Sequence, residues 1–267
     1  MKKRQGLLGR QSIEDKDNKR PLVIPGFHAV KESLLYGANR IHEIWIVEGK
    51  SGGRSDEVLR LAKEKGIRLF IKSRDDIERL APGINHQGIV AFAEEFVYLD
   101  LANLLSRTWN VQGFRLLLAT DHITDEGNLG ALMRTAAFFS VQGLILPKDR
   151  SARVTGSLVK RTSGAYVSLP VAQVVNLRRA LDVLRGKGFW IIGAAAEALK
   201  SIYDFDWRRH TVLVLGSENK GLSRSVRKGC DATVRIPGEG TVESLNVSVA
   251  GGIILAEINR QRQRENP

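Results

Sequence analysis

The stretch TVLVLGSENKGLS, Thr211–Ser223, decides the fold class. Its first five residues are all β-branched or leucine with no polar alternation, the texture of a strand buried on both faces. The run then breaks into a polar turn bracketed by Gly216 and Gly221. Strands of this kind belong to parallel sheets covered by helices, and in such sheets ligands sit beyond the carboxyl ends of the strands. The turn is not a phosphate loop. A Walker loop needs four residues between its first glycine and a Gly-Lys-Ser/Thr ending, whereas here Lys220 precedes Gly221 and Leu222 follows it.

The same alternation runs through the second half of the chain. FRLLLAT (114–120), GLILP (143–147), GFWIIGA (188–194) and ATVRIP (232–237) have strand texture. NLGALMRTAAFF (128–139), TGSLVKRTS (155–163) and NLRRALDVLRGKG (176–188) have helical spacing, and a last long helix is expected from near Glu243 into NRQRQR. Residues 113–267 therefore read as an α/β domain with a mostly parallel sheet. A smaller α/β unit is expected over residues 21–95. There GFHAVKESLL places Phe27, Val30 and Leu34 at helical spacing, DEVLRLAKEKG and RDDIERLA continue as helices, and HEIWIV, IRLFIK and HQGIVAFAE read as strands. Residues 96–112 carry one plausible short helix and no strand pattern, and read as a linker. Residues 1–20 hold seven Lys/Arg against three acids with almost no apolar periodicity, and read as a basic flexible tail.

The formal charge is +12 and the isoelectric point near 10.0, which points to a polyanionic partner, because neutralising phosphates releases counterions. A single cysteine, Cys230, excludes an intrachain disulfide and a cysteine-rich zinc site, and fits a reducing cytoplasm. The five histidines are scattered without ligand spacing, so no metal is expected. MKKRQGLLGRQS lacks the apolar core of a signal peptide, and VSVAGGIILAEI is too short and glycine-rich to span a bilayer. A soluble cytoplasmic protein without a membrane association is expected.

Three polar stretches follow three of the strands: DHITDEGNLGALMRTA, GSENKGLS and PGEGTVESLNVSVA. Asn128 is placed to cap the helix it begins, and Arg134 lies to one side of the apolar stripe Leu129, Met133 and Ala136. Taken singly, such residues serve caps and turns more often than chemistry. His122, the only histidine beside a polar strand end, reads as a loop hydrogen-bonder before it reads as a base.

Taken together, NLGALMRTA, LVLGSENKGLS and IPGEGTVESLNVSVA resemble, in order and spacing, the three signature motifs of the TrmH-type RNA ribose 2′-O-methyltransferases of the SPOUT superfamily. PKDRSA and the SGA at Ser163–Ala165 also look like family sequence. GFHAVKESL and NHQGIVA resemble the small RNA-binding domain, related to a large-subunit ribosomal protein, of members that modify 23S ribosomal RNA. The resemblance spans about residues 21–262. Two positions depart from the pattern: Glu243 stands where many relatives have a small residue, and DEG at 125–127 replaces a more usual proline-containing version.

The resemblance implies a deep trefoil knot at the C-terminal end, which ordinary topological rules would not produce. It implies S-adenosylmethionine as cofactor, with Gly216, Ile236 and Leu245 at the family's cofactor-contact positions. Asn128, Arg134, Glu218, Ser244 and Asn246 match its catalytic positions. A guanidinium is a poor base at neutral pH, so Arg134 is expected to orient the target and stabilise charge on the 2′-oxygen, with Glu218 organising the loop or holding Arg134. Phosphate contacts are expected from Lys148, Arg150, Arg153, Lys160 and Arg161, and from Lys31, Arg40 and Arg54 of the front domain; a solvated face is the alternative for each. A homodimer is expected through the C-terminal region, where Val247, Ile254 and Ile258 give the last helix an apolar face. The implied activity is 2′-O-methylation of a guanosine in 23S ribosomal RNA. Transfer RNA as substrate, or a non-catalytic RNA-binding or ribosome-assembly role, are the competing readings, and no dinucleotide fingerprint supports a metabolic enzyme.

Overall fold

A computed structural model of the chain describes residues 21–36, 41–49, 53–80, 82–83, 85–108 and 113–263. The basic tail and Arg40 lie outside the described residues. The front unit comprises β1 (Leu22–Pro25), α1 (Phe27–Tyr36), β2 (Ile41–Val47), α2 (Arg54–Glu64), β3 (Arg68–Lys72), α3 (Arg74–Leu80) and β4 (Ile89–Ala93). Its sheet runs in the order β1-β4-β2-β3. Ile44 and Ile46 of β2 face α1 and α2, where Val30, Leu34, Val58 and Ala62 bury them. Trp45 and Val47 alternate to the opposite face, where Ile77 of α3 packs with Val90 and Phe92. The strand β1 has no counterpart among the expected strands, since three residues between Pro21 and Pro25 carry no periodicity.

The second unit comprises α4 (Leu101–Thr108), β5 (Leu116–Asp121), α5 (Glu126–Phe138), β6 (Gly143–Pro147), α6 (Gly156–Arg161), α7 (Ala165–Ser168), β7 (Val171–Val174), α8 (Leu177–Gly186), β8 (Trp190–Ala194), β9 (Lys200–Ser201), β10 (Thr211–Gly216), α9 (Arg224–Arg227), β11 (Ala232–Arg235) and α10 (Val247–Gln263). Its strands form one sheet in the order β7-β6-β5-β10-β8-β11-β9, and each neighbouring pair is parallel. One face packs on α5 and α10 through Leu118, Leu213 and Leu215; the other packs on α4 and α8 through Leu117, Ile145 and Val212. Burial on both faces is why the strands read as unbroken apolar runs.

Three expectations change here. Residues 96–108 pack as part of the second unit: the Val154 amide donates to the Tyr98 hydroxyl (2.7 Å), Leu99 bridges Ala172, and Leu104 and Leu105 are buried on the sheet. The last helix starts at Val247 rather than near Glu243, because the Asn246 side chain accepts from the amides of Ser248 and Val249 and caps it. Val247, Ile254 and Ile258 are buried within the protomer, and the apolar residue α10 leaves open is Val249, 50% exposed.

The two units share one apolar cluster. The backbone of β1 lies so close to α6 that a Cβ on Gly156 would fall 1.8 Å from the Val23 carbonyl oxygen. The Ser33 and Tyr166 hydroxyls bond across the junction, and Lys160 donates to the Asn85 carbonyl.

Candidate active site

Strands β5, β10, β8 and β11 are sheet neighbours, so the loops leaving their carboxyl ends converge on one edge. Three of those loops carry the polar motifs. The loop after β10 closes on itself: Ser217 and Gly221 exchange backbone hydrogen bonds of 3.1 and 2.9 Å, which presents Glu218 at the tip. Gly216 is required by that return, since a Cβ there would lie 2.1 Å from the Gly221 carbonyl carbon. The loop's own backbone therefore requires a glycine at Gly216, a position that the family resemblance marks as a cofactor contact.

Glu218 Oε1 accepts from Asn128 Nδ2 (2.9 Å) and from Asn246 Nδ2, and Asn246 Nδ2 also donates to Asn128 Oδ1 (2.8 Å). Residues from three motifs, up to 118 positions apart, are therefore bonded into one triangle. Asn246 uses its oxygen to cap α10 and its nitrogen to hold the triangle. Asn128 does not cap α5. Asp125 does, accepting from the Asn128 backbone amide at 2.7 Å, which frees the Asn128 side chain for the cluster. Among the described residues, Glu218 Oε2 keeps no protein donor. The site therefore offers a carboxylate acceptor beside the free amide N–H of Asn128, a combination suited to the hydroxyls of a sugar.

Glu218 binds these two amides and not Arg134. The side of α5 bearing Gly130 meets α6, where a Cβ on Gly130 would lie 2.8 Å from Arg161 Cβ. Arg134 is one turn further along that side. Leu132 and Thr135 line a different side, against Gly251 and Gly252 of α10, and Asn128 reaches Asn246 just before that helix. Arg134 is exposed and, among the described residues, has no hydrogen-bond or ion-pair partner. Ser244 is exposed two residues before Asn246 and makes no side-chain bond among the described residues. Of the cofactor candidates, Ile236 is half-buried against the core and Leu245 is 48% exposed beside the cap.

Sequence reasoning missed Asp121. It is 1% exposed at the end of β5, accepts the Ser223 amide at 2.6 Å, and meets His122 Nδ1 at 2.6 Å. It ties the start of the first motif loop to the end of the second. A carboxylate closing the run LLLAT was the only signal, and its partner lies 102 positions away. His122 sits at φ +63° with its ring held by that carboxylate.

Lys148, Arg150, Arg153 and Arg161 are exposed along the segment from β6 to α6. Lys160 is half-buried at the domain junction, where burial and the neighbouring Arg161 lower its pKa. Lys31 is paired with Glu57 at 2.7 Å, and Arg54 opens α2. Among the described residues no three His, Cys, Asp or Glu side chains cluster as metal ligands, and no helix is long and apolar enough to cross a membrane.

Two family models match along the chain. Residues 115–256 match the SpoU rRNA Methylase family, and residues 23–99 match the RNA 2′-O ribose methyltransferase substrate-binding family. A curated relative, 23S rRNA (guanosine-2′-O-)-methyltransferase RlmB of Pseudomonas aeruginosa, is 41% identical over 89% of this chain and 95% of its own. The crystal structure of the SpoU methyltransferase AviRb from Streptomyces viridochromogenes is similar at 26% identity and a TM-score of 0.77, covering 92% of this chain and 91% of that one. A second structure of AviRb, in complex with the cofactor AdoMet, covers 91% of each chain with a TM-score of 0.75; at 24% identity that likeness speaks to the fold alone.

Proposed function

Since the chain belongs to the SpoU rRNA methylase family, we propose that it transfers the methyl group of S-adenosylmethionine to the 2′-hydroxyl of a guanosine in 23S ribosomal RNA. The observation that carries this reading is the Asn128–Glu218–Asn246 triangle, built at the carboxyl edge of the parallel sheet from the three motif loops. Residues 113–267, with 96–108 packed on them, serve as the catalytic unit and residues 21–95 as the RNA-binding unit, of the kind related to a ribosomal protein. The catalytic unit has a trefoil knot, and the protein works in the cytoplasm.

The loops after β10 and β11 fit the cofactor. They offer backbone groups at Gly216 and Leu222 and the apolar side chains of Ile236 and Leu245, and the first is pinned by Asp121. When bound there, S-adenosylmethionine supplies an electrophilic methyl carbon on a sulfonium. The chain has to line up the ribose oxygen with that carbon, which is mostly a matter of orientation. Asn128 holds the ribose through its free amide N–H and Glu218 through Oε2, with Asn246 fixing both. Arg134 orients the target phosphate or ribose and stabilises charge developing on the 2′-oxygen. Lys148, Arg150, Arg153 and Arg161 hold phosphates of the RNA.

A homodimer accompanies this reading. Arg134 stands apart from the amide triangle of its own protomer, and Phe138 (79% exposed) and Val249 leave apolar surface on α5 and α10. Methyl transfer to RNA followed by nucleoside analysis tests the chemistry. The expected product is 2′-O-methylguanosine, with Arg134→Ala reducing the rate at least about a hundredfold. Methyl on a base, or full activity in Arg134→Lys across pH, would sink the assigned roles, since lysine keeps the charge and loses the planar fork.

A further inference from the structure

The front unit turns toward solvent a face that lies opposite Lys31. Trp45 of β2 pairs with Phe70 of the edge strand β3, so both rings lie on the sheet face that carries α3. Phe70 is 37% exposed. Lys72 Nζ stands 4.7 Å from the Trp45 ring centroid and 5.8 Å from that of Phe70, with the Arg68 guanidinium 6.0 Å from Phe70. Two residues beyond Trp45 on the same face, Val47 enters the wall of a cavity of about 550 Å³ shared with Arg74, Glu78, Asn85 and Gln87. That volume is in the range of small-molecule sites, and a nucleobase fits it.

The cavity is built around a carboxylate. His86, 4% exposed, accepts the Gly88 amide on Nδ1 (3.0 Å), so its Nε2 carries the proton and meets Glu78 Oε2 at 3.1 Å. The Gly83 amide holds Glu78 Oε1 at 3.3 Å. Each oxygen keeps an unused lone pair. A fixed carboxylate repels phosphate and accepts from base edges, and guanine presents two adjacent donors, N1–H and N2–H, to match two oxygens. Such edges are open to proteins in unpaired RNA, where bases also stack on aromatic rings.

The cavity connects to the catalytic unit. The carbonyl of Asn85 binds Lys160, and the next residue, Arg161, lies beside the first turn of α5, with its Nη1 3.8 Å from where a Cβ on Gly127 would stand. Asn128 of the amide triangle is the following residue.

Resting on the methyltransferase reading above, we propose that this α3-side face is the track for a single-stranded segment of the substrate RNA. Unpaired bases stack on Phe70 and Trp45, a guanine enters the cavity against Glu78, and the strand runs on past Lys160 to the amide triangle. On the opposite, α1/α2 side, Lys31 is paired with Glu57.

The test uses the full chain and fluorescein-labelled RNA of about 12 nucleotides, a length within the site sizes of single-strand binders. One strand contains guanosine, one contains only uridine, and a duplex serves as competitor. Phe70→Ala and Lys72→Ala are expected to weaken single-strand binding about tenfold or more. Arg60→Ala, which removes an equal charge from α2 on the opposite face, should change it less than about twofold. Glu78→Gln is expected to abolish a preference for the guanosine strand. Melting temperature and S-adenosylmethionine binding verify that each variant is folded. Equal losses in Lys72→Ala and Arg60→Ala, an unaltered Phe70→Ala, an unaltered base preference in Glu78→Gln, or a duplex that competes as well as the single strand would each overturn the track. A wild-type chain that transfers no methyl to RNA would instead overturn the reading on which the track rests.

Discussion

Asn246 does two jobs with one side chain, and they can be separated. Its oxygen caps α10 while its nitrogen holds Asn128 and Glu218. Serine is a good cap and too short to bridge the triangle, whereas alanine does neither. Asn246→Ser is therefore expected to keep the denaturant midpoint and lose methyl transfer about a hundredfold, and Asn246→Ala to lose about 1 kcal/mol of stability as well. Equal activity in Asn246→Ser and wild type would remove the amide from the chemistry. Cys230 gives a pH prediction. Burial pushes its thiol from 9.0 up to about 11, so between those values the unfolded chain loses a proton that the folded chain retains. Its contribution is present below pH 9 and is lost as pH rises toward 11. Cys230→Ala should flatten the fall in stability across that window, measured by urea unfolding, and the native thiol should resist alkylation at pH 8. At this scale Asn128, Glu218 and Asn246 were legible because the motifs fix their order and spacing. Asp121 was not, because its role depends on an amide distant in sequence, and Asn128 was misassigned as a cap because Asp125 competes for the same backbone donors.

Elements were legible in proportion to their length and burial. The runs that became β5, β6, β8, β10 and β11 stood out because both faces are covered. β7 and β9 have four and two residues and offered no pattern. The segment before β5 read as a linker because its short helix lacks a long periodic signal, yet Leu104 is fully buried on the sheet. The junction of β1 with α6 was invisible to periodicity, since it is a backbone contact allowed by Gly156. Gly156→Ala forces a methyl into the Val23 carbonyl, and the expected result is partial undocking of the front unit. Calorimetry should then resolve two transitions where wild type has one, with S-adenosylmethionine binding retained and RNA methylation reduced. A single transition at the wild-type temperature would show that the two units are not coupled through this contact.

At the scale of the whole molecule, a strongly basic chain joins two sheets through one continuous core, so the front unit has a fixed relation to the sheet edge that carries the amide triangle. The net charge of +12 announced a polyanion, but not that Lys31 pairs with Glu57; pairing across helices cannot be read from a residue count. The most direct measurement is transfer of labelled methyl from S-adenosylmethionine to unmodified 23S ribosomal RNA and, separately, to bulk transfer RNA, with Asn246→Ser and Arg134→Ala alongside. Label on ribosomal RNA alone, lost in both variants, is the predicted result. Label on transfer RNA alone would contradict the role given to the front unit, and label on neither would contradict the function.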